Sequence, residues 1–126
     1  MLGIVAFAKA NDVNAATLTA IGACTSATLA YFDTDKGDYV SKRFDEQMEI
    51  ASFIGGIADD VGQTVLHAHI VLGRHDYSAL AGHLQEIDVF PTMEIVLTET
   101  PARLRKKLDK KTGLTRIAPE HSTPAR

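Results

Sequence analysis

The sequence predicts an α+β fold: a central, mostly antiparallel β-sheet with one or two helices. Three observations point there. Short runs of β-branched and small apolar residues recur along the chain, separated by Gly, Asn and Asp turn chemistry. One helical pattern stands at the start, and the strand–helix alternation of a doubly wound parallel sheet is missing. With 126 residues the chain is long enough for one domain and short for two. We expect a single domain over residues 1–117 and a flexible tail over 118–126.

Each element has its own warrant. Leu2 to Ala10 has apolar spacing suited to the buried side of a short helix, and Asn11-Asp12 supplies a turn. Ala15 to Ala23 reads as a buried strand ending at Gly22, and Ala27 to Asp33 as the next. Thr34 to Asp38 is a hairpin turn with Gly37 available for positive φ, after which Tyr39 to Phe44 pairs back. Met48 to Ile57 is a strand in which Gly55-Gly56 suggests a bulge or a close backbone approach. Asp59 to Gln63 turns the chain into Thr64 to Leu72, the clearest strand pattern. Ala79 to Leu84 starts another extended piece, and Pro91 precedes a β-branched strand over Thr92 to Thr98.

Composition narrows the class. Apolar residues make up 45% and charged residues 23%, as in soluble globular proteins. No apolar run approaches the roughly 18–20 residues of a spanning helix, and the N-terminus lacks a signal-peptide pattern. A single cysteine, Cys24, excludes an internal disulfide, so the expected location is the cytoplasm with no membrane association. The formal charge of −3 is unevenly spread: residues 1–100 are acidic, whereas Arg103, Arg105, Lys106, Lys107, Lys110, Lys111, Arg116 and Arg126 crowd the end. That end is either a solvated segment or a nucleic-acid contact, for which Arg105, Lys106, Lys107, Lys110 and Lys111 are the candidates. The acidic body argues against a broad phosphate-binding face.

Strand alternation defines the leading candidate site. In Thr64–Leu72 it places Val65, His67, His69 and Val71 on one face and Leu66, Ala68, Ile70 and Leu72 on the core face. Imidazoles two residues apart on a strand sit roughly 6.5–7 Å apart at Cα, from which both can reach one ion. His83 is the natural third ligand, because Gly82 permits a close approach and Asp76–Ala81 is short enough to turn back. Two alternating histidines can equally line a solvated sheet face or a subunit seam. His75 and His121 read as exposed non-ligands.

An ordered set of segments then resembles a known family. Gly22 to Asp33 (GACTSATLAYFD), Met48 to Ile57 (MEIASFIGGI), His67-Ala68-His69, Ala81-Gly82-His83-Leu84, and Arg105 through Asp109 to Thr112-Gly113-Leu114 follow in sequence. Together they are similar to the plants-and-prokaryotes-conserved (PPC) domain over about residues 3–117. The resemblance implies a compact α+β fold, a homotrimer and, in prokaryotic members, a metal site matched here by His67, His69 and His83. Zinc is the expected divalent ion. Plant relatives carry AT-hook motifs; no Arg-Gly-Arg-Pro-like hook occurs in this sequence. The family's usual leading strand is expected to be missing or to lie outside this chain.

Two kinds of function follow. One is a trimeric metal-containing module associated with DNA or transcription, possessing DNA or protein partners. The other is a metal-dependent hydrolase or lyase acting on a small polar substrate, in which Glu49 or Glu94 could serve as general base. Nothing in their spacing ties these carboxylates to the histidines, which leaves no catalytic residue assigned. Cys24 lacks a flanking base and reads as a small buried hydrophobe. No phosphate-loop or dinucleotide-binding glycine pattern is present.

Overall fold

A computed structural model describes residues 1–124, with Arg126 of the basic end outside the described residues. Helix α1 (Leu2–Ala10) is followed by β1 (Ala16–Asp33), β2 (Asp38–Phe44), β3 (Met48–Asp60), β4 (Gln63–Gly73) and β5 (Ala79–Glu99). Two short pairs close the chain: β6 (Ala102–Arg103) with β9 (Thr123–Pro124), and β7 (Lys106–Asp109) with β8 (Leu114–Ile117). The five long strands form one sheet in the order β2-β1-β3-β4-β5, and β1 also pairs with β5. The predicted α+β class and its antiparallel sheet are what the chain adopts. Among the described residues no helix is long and apolar enough to cross a membrane.

Two sequence boundaries are overturned. The structure runs straight through Gly22, so the two expected strands are one 18-residue β1. Likewise Pro91 lies inside the 21-residue β5 rather than ahead of a separate strand. The physical reason is a single crossing. A Cβ built on Gly22 would stand 2.3 Å from the Thr92 carbonyl oxygen and 2.7 Å from the Met93 Cα, so only glycine lets these backbones approach. At Gly56, by contrast, a Cβ would meet only the Ala16 carbonyl at 3.6 Å, an ordinary contact.

The turns obey local chemistry. Val61 and Gly62 both hold positive φ (49° and 79°), making the β3–β4 connection a two-residue hairpin, tighter than the five-residue turn the sequence suggests. Between β1 and β2, Gly37 takes φ 67° and donates to the Asp33 carbonyl at 2.8 Å. The Asp33 carboxylate accepts from the amides of Asp35 and Lys36, which fixes the Asp33↔Asp38 closure.

Backbone contacts divide the chain into two compact units. The first comprises Met1–Thr17, Gly56–His67 and Leu97–Arg126. Its core includes Ile4 and Ala8, one turn apart on α1, together with Val13, Ala16, Ile57 and Ala118. Leu2 and Phe7 of the same helix remain exposed. The second unit comprises Leu18–Gly55 and Ala68–Val96. It buries Leu18, Met48, Ile50, Phe53, Ile70, Leu72, Leu84 and the Cys24 thiol.

Candidate metal centre

Alternation along β4 sorts its residues as the pattern requires. Ala68, Ile70 and Leu72 are buried, while His67, His69 and Val71 stand outward. Burying that apolar row locks the register, since a one-residue slip would expose it and drive the histidines into the core. A five-residue connection, Arg74–Ser78, then turns the chain into β5. The Arg74 amide donates to the Ser78 carbonyl at 2.8 Å, and the Asp76 carboxylate accepts from the Ser78 amide at 2.9 Å and from its hydroxyl. These bonds from Ser78 hold the Asp76 carboxyl below its ordinary range. Arg74 reaches the Glu46 carboxylate at 2.8 Å, which pins the loop from outside.

That turn sets the pairing of Gly73 with Ala79, and four residues further along places His69 directly opposite His83. Their rings meet edge to face at 5.5 Å between centroids. Gly82, beside His83, lets β5 lie close on β1: a Cβ there would come within 3.1 Å of the Ala30 carbonyl and 3.4 Å of the Leu29 Cβ. The ligand atoms of His67, His69 and His83 all lie within 4.8 Å of one another. His67 and His69 are exposed and His83 is half-buried, so the cluster opens outward.

The donor set fits a divalent ion. Three neutral imidazoles that converge from adjacent strands are the side-chain chemistry zinc prefers, and they leave a fourth position vacant for water or substrate. Nitrogens sharing a tetrahedral zinc stand roughly 3.3 Å apart, so the 4.8 Å spread differs by no more than a side-chain rotation.

Sequence reasoning missed the support beneath His83. Tyr39 on β2 stacks on the His83 ring at 4.8 Å and 26°, and Phe32 on β1 packs edge-on against Tyr39 at 5.4 Å. Alternation puts Tyr39 on a strand, but its neighbour depends on β5 meeting β1, a pairing of residues distant in sequence.

Other candidates fall elsewhere. Glu49 and Glu94 come together, lining a cleft of about 480 Å³ with Ile21, Gly22, Pro91 and Thr92. None of the three histidines is among its lining residues. His75 lies exposed in the β4–β5 turn and His121 in a short 3-10 turn, outside the cluster. Burial pushes the Cys24 thiol up, as befits a packed side chain rather than a nucleophile. Of the basic residues, Lys107, Lys110 and Lys111 are exposed, whereas Lys106 is half-buried and desolvation pulls its ammonium down despite Asp60. The Arg105 backbone is tied on both sides, its amide to the Ser122 hydroxyl and its carbonyl to the Ala118 amide.

Known proteins resemble this chain in sequence and in fold. The sequence model of the Plants and Prokaryotes Conserved (PCC) domain matches residues 1–101. A structure from Bacteroides thetaiotaomicron, described as a candidate DNA-binding protein, superposes with a TM-score of 0.91 at 34% identity, covering 95% of this chain and 84% of that one. A plant- and prokaryote-conserved protein of Pyrococcus horikoshii gives 0.87 at 29% identity, over 93% and 81%. A metal-containing protein of Archaeoglobus fulgidus gives 0.82 at 31% identity, over 93% and 83%. A search of curated proteins finds no match. With four-fifths of its length matched, the chain belongs to the Plants and Prokaryotes Conserved domain family.

Proposed function

We propose that this chain is the subunit of a cytoplasmic, metal-containing homotrimer that associates with DNA, in which His67, His69 and His83 hold one divalent ion, preferentially zinc. The observation that carries the reading is the cross-strand pairing of His69 with His83, beside His67 on the same strand. A chance pair of surface histidines has no reason to be met by a third at the directly opposed position. Similarity to the metal-containing Archaeoglobus fulgidus protein and to the candidate DNA-binding Bacteroides thetaiotaomicron protein supports it. Exposed apolar side chains on the long strands, Ile21, Ile54, Phe90 and Val96 among them, favour assembly, since monomers seldom leave such surface uncovered. Residues 1–117 act in this reading as one domain and 118–126 as its tail.

When bound, the ion would supply an open coordination position able to polarise a water molecule. The chain's own residues orient the ligands: β4–β5 pairing fixes His69 against His83, and Tyr39 packs against the His83 ring. Because Glu49 and Glu94 line a cleft without the histidines, a binding role is favoured over a hydrolase or lyase. DNA contact falls to the basic end, with Arg105, Lys106, Lys107, Lys110 and Lys111 as candidates.

Elemental analysis of the purified protein beside a His67→Ala/His69→Ala variant tests the site. About one ion per chain in the parent and little in the variant is expected; absence from both overturns it. Light scattering should give three times the 13.6 kDa chain mass, and a monomer would remove the trimer. Failure to shift any duplex at low salt would remove the DNA association.

A further inference from the structure

We infer that the β7–β8 hairpin is a phosphate-contacting ribbon through which the protein grips the nucleic-acid backbone without reading sequence; this rests on the DNA association proposed above. The hairpin spans Lys106–Asp109 and Leu114–Ile117, and it lies beyond the residues that the family model matches. Its register sets Lys107 directly opposite Arg116. Like charges at directly opposed positions of an antiparallel pair repel, so the ribbon as folded holds an electrostatic cost that an anion would relieve.

The neighbourhood concentrates the effect. Lys110 and Lys111 sit at the tip, in the turn that Gly113 closes at φ 75° by donating to the Asp109 carbonyl. Against these four cations the hairpin sets one carboxylate, Asp109. Asp109 is partly engaged, accepting from the Lys111 amide at 3.0 Å and standing 3.4 Å from the Arg116 guanidinium. Lys107, Lys110 and Arg116 line one shallow recess of about 360 Å³, with Glu120 also on its lining. Lys106, on the opposite face by alternation, is half-buried and is not among the residues lining this recess.

The remainder of the chain decides the partner. Residues 1–100 are net acidic, so the excess of positive charge that a polyanion would meet lies in the segment that holds this hairpin. A two-stranded β-ribbon is narrow enough to enter the major groove of a duplex. The ribbon offers no Asn or Gln for adenine and three of its four cations are lysines, point charges that suit phosphate oxygens, so phosphate contact is the role we assign it. In a trimer three such ribbons would act together.

The test compares three proteins on a fluorescent mixed-sequence duplex across a salt series: the parent, the Lys107→Gln/Lys110→Gln/Lys111→Gln/Arg116→Gln variant, and a Lys9→Gln/Lys36→Gln variant that removes two exposed cations outside the basic end. The inference expects the quadruple variant to bind at least roughly tenfold more weakly at low salt. Its log–log salt slope should be shallower by about 3 to 4, since each lost phosphate contact removes about 0.9. The double variant should stay close to the parent. Equal binding by parent and quadruple variant overturns the ribbon while leaving DNA association standing. No binding by the parent removes both. Stronger capture by anionic phosphatidylserine vesicles than by duplex also overturns it. Should the quadruple variant fail to fold, Asp109→Asn gives the opposite sign: it frees Arg116 and should tighten duplex binding, and weaker binding would count against the ribbon.

Discussion

His69 and His83 face each other across the β4–β5 ladder, one the direct partner of the other. Strand register therefore delivers the third ligand; the β4–β5 turn sets it, and the buried row Ala68, Ile70 and Leu72 holds it. Two consequences can be measured. Zinc at about a hundred times its dissociation constant should stabilise the parent by about 2.7 kcal/mol, seen as a rise in Tm. His69→Ala should abolish that rise while leaving the metal-free Tm almost unchanged, because its ring is exposed; His83→Ala should abolish it too, with a small loss in the metal-free Tm from the broken stack on Tyr39. A zinc-dependent rise that survives in both variants would show the ion bound elsewhere.

Tyr39 acts on this pair from the side. Its ring lies nearly parallel to that of His83, and Phe32 braces it from the next strand. Outer partners that hydrogen-bond a ligand typically contribute 10- to 100-fold in metal affinity, and a stacked ring that fixes orientation is expected at the low end. Tyr39→Leu should accordingly weaken zinc by about tenfold in a chelator competition, and Tyr39→Phe, which keeps the ring, should not. Cobalt substitution adds a spectroscopic readout: the visible bands should shift in the leucine variant alone. Equal affinities for all three proteins would reduce Tyr39 to ordinary packing.

Local patterns made much of this legible. Period-two alternation identified the face of β4 that presents His67 and His69, because one buried row dictates every side chain on the strand. The brevity of the β4–β5 turn pointed to His83. What could not be read was anything decided by a distant strand. Gly22 and Pro91 both look like punctuation, yet they adjoin one crossing of β1 and β5, where no side chain fits on Gly22. Tyr39 was equally hidden, since nothing near it in sequence announces the ring on which it stacks.

The crossing yields its own prediction. Gly22→Ala puts a methyl carbon 2.3 Å from a backbone oxygen, and backbone, unlike a flexible side-chain end, cannot swing aside. One strand must move, at a cost of about 3 kcal/mol, the upper part of the usual range for overpacking. Gly3→Ala is the matching control, because nothing lies within 4 Å of a Cβ there. In urea the first substitution should lower the unfolding midpoint sharply, whereas the second should hold it or raise it slightly through better helix propensity. A midpoint for Gly22→Ala equal to that of the parent would mean that β1 and β5 do not approach as described.

Acid unfolding should be sensitised by a third inter-strand tie. The Asp88 carboxylate on β5 accepts from the buried Ser26 hydroxyl on β1 at 2.6 Å and stands 3.4 Å from the Arg43 guanidinium on β2. The hydrogen bond from Ser26 and the pairing with Arg43 hold its pKa below the ordinary carboxylate value. A depressed folded-state pKa means the unfolded chain takes up the proton first as pH falls. The tie thus contributes in full above the unfolded value, near pH 4, and fades as pH drops through the lower folded value. Asp88→Asn removes that proton uptake while keeping an acceptor for Ser26. Its Tm should lie below that of the parent at pH 7, and the two curves should converge below about pH 4. A constant offset from pH 7 to pH 2 would show that the carboxylate's charge plays no part in holding β1, β2 and β5 together.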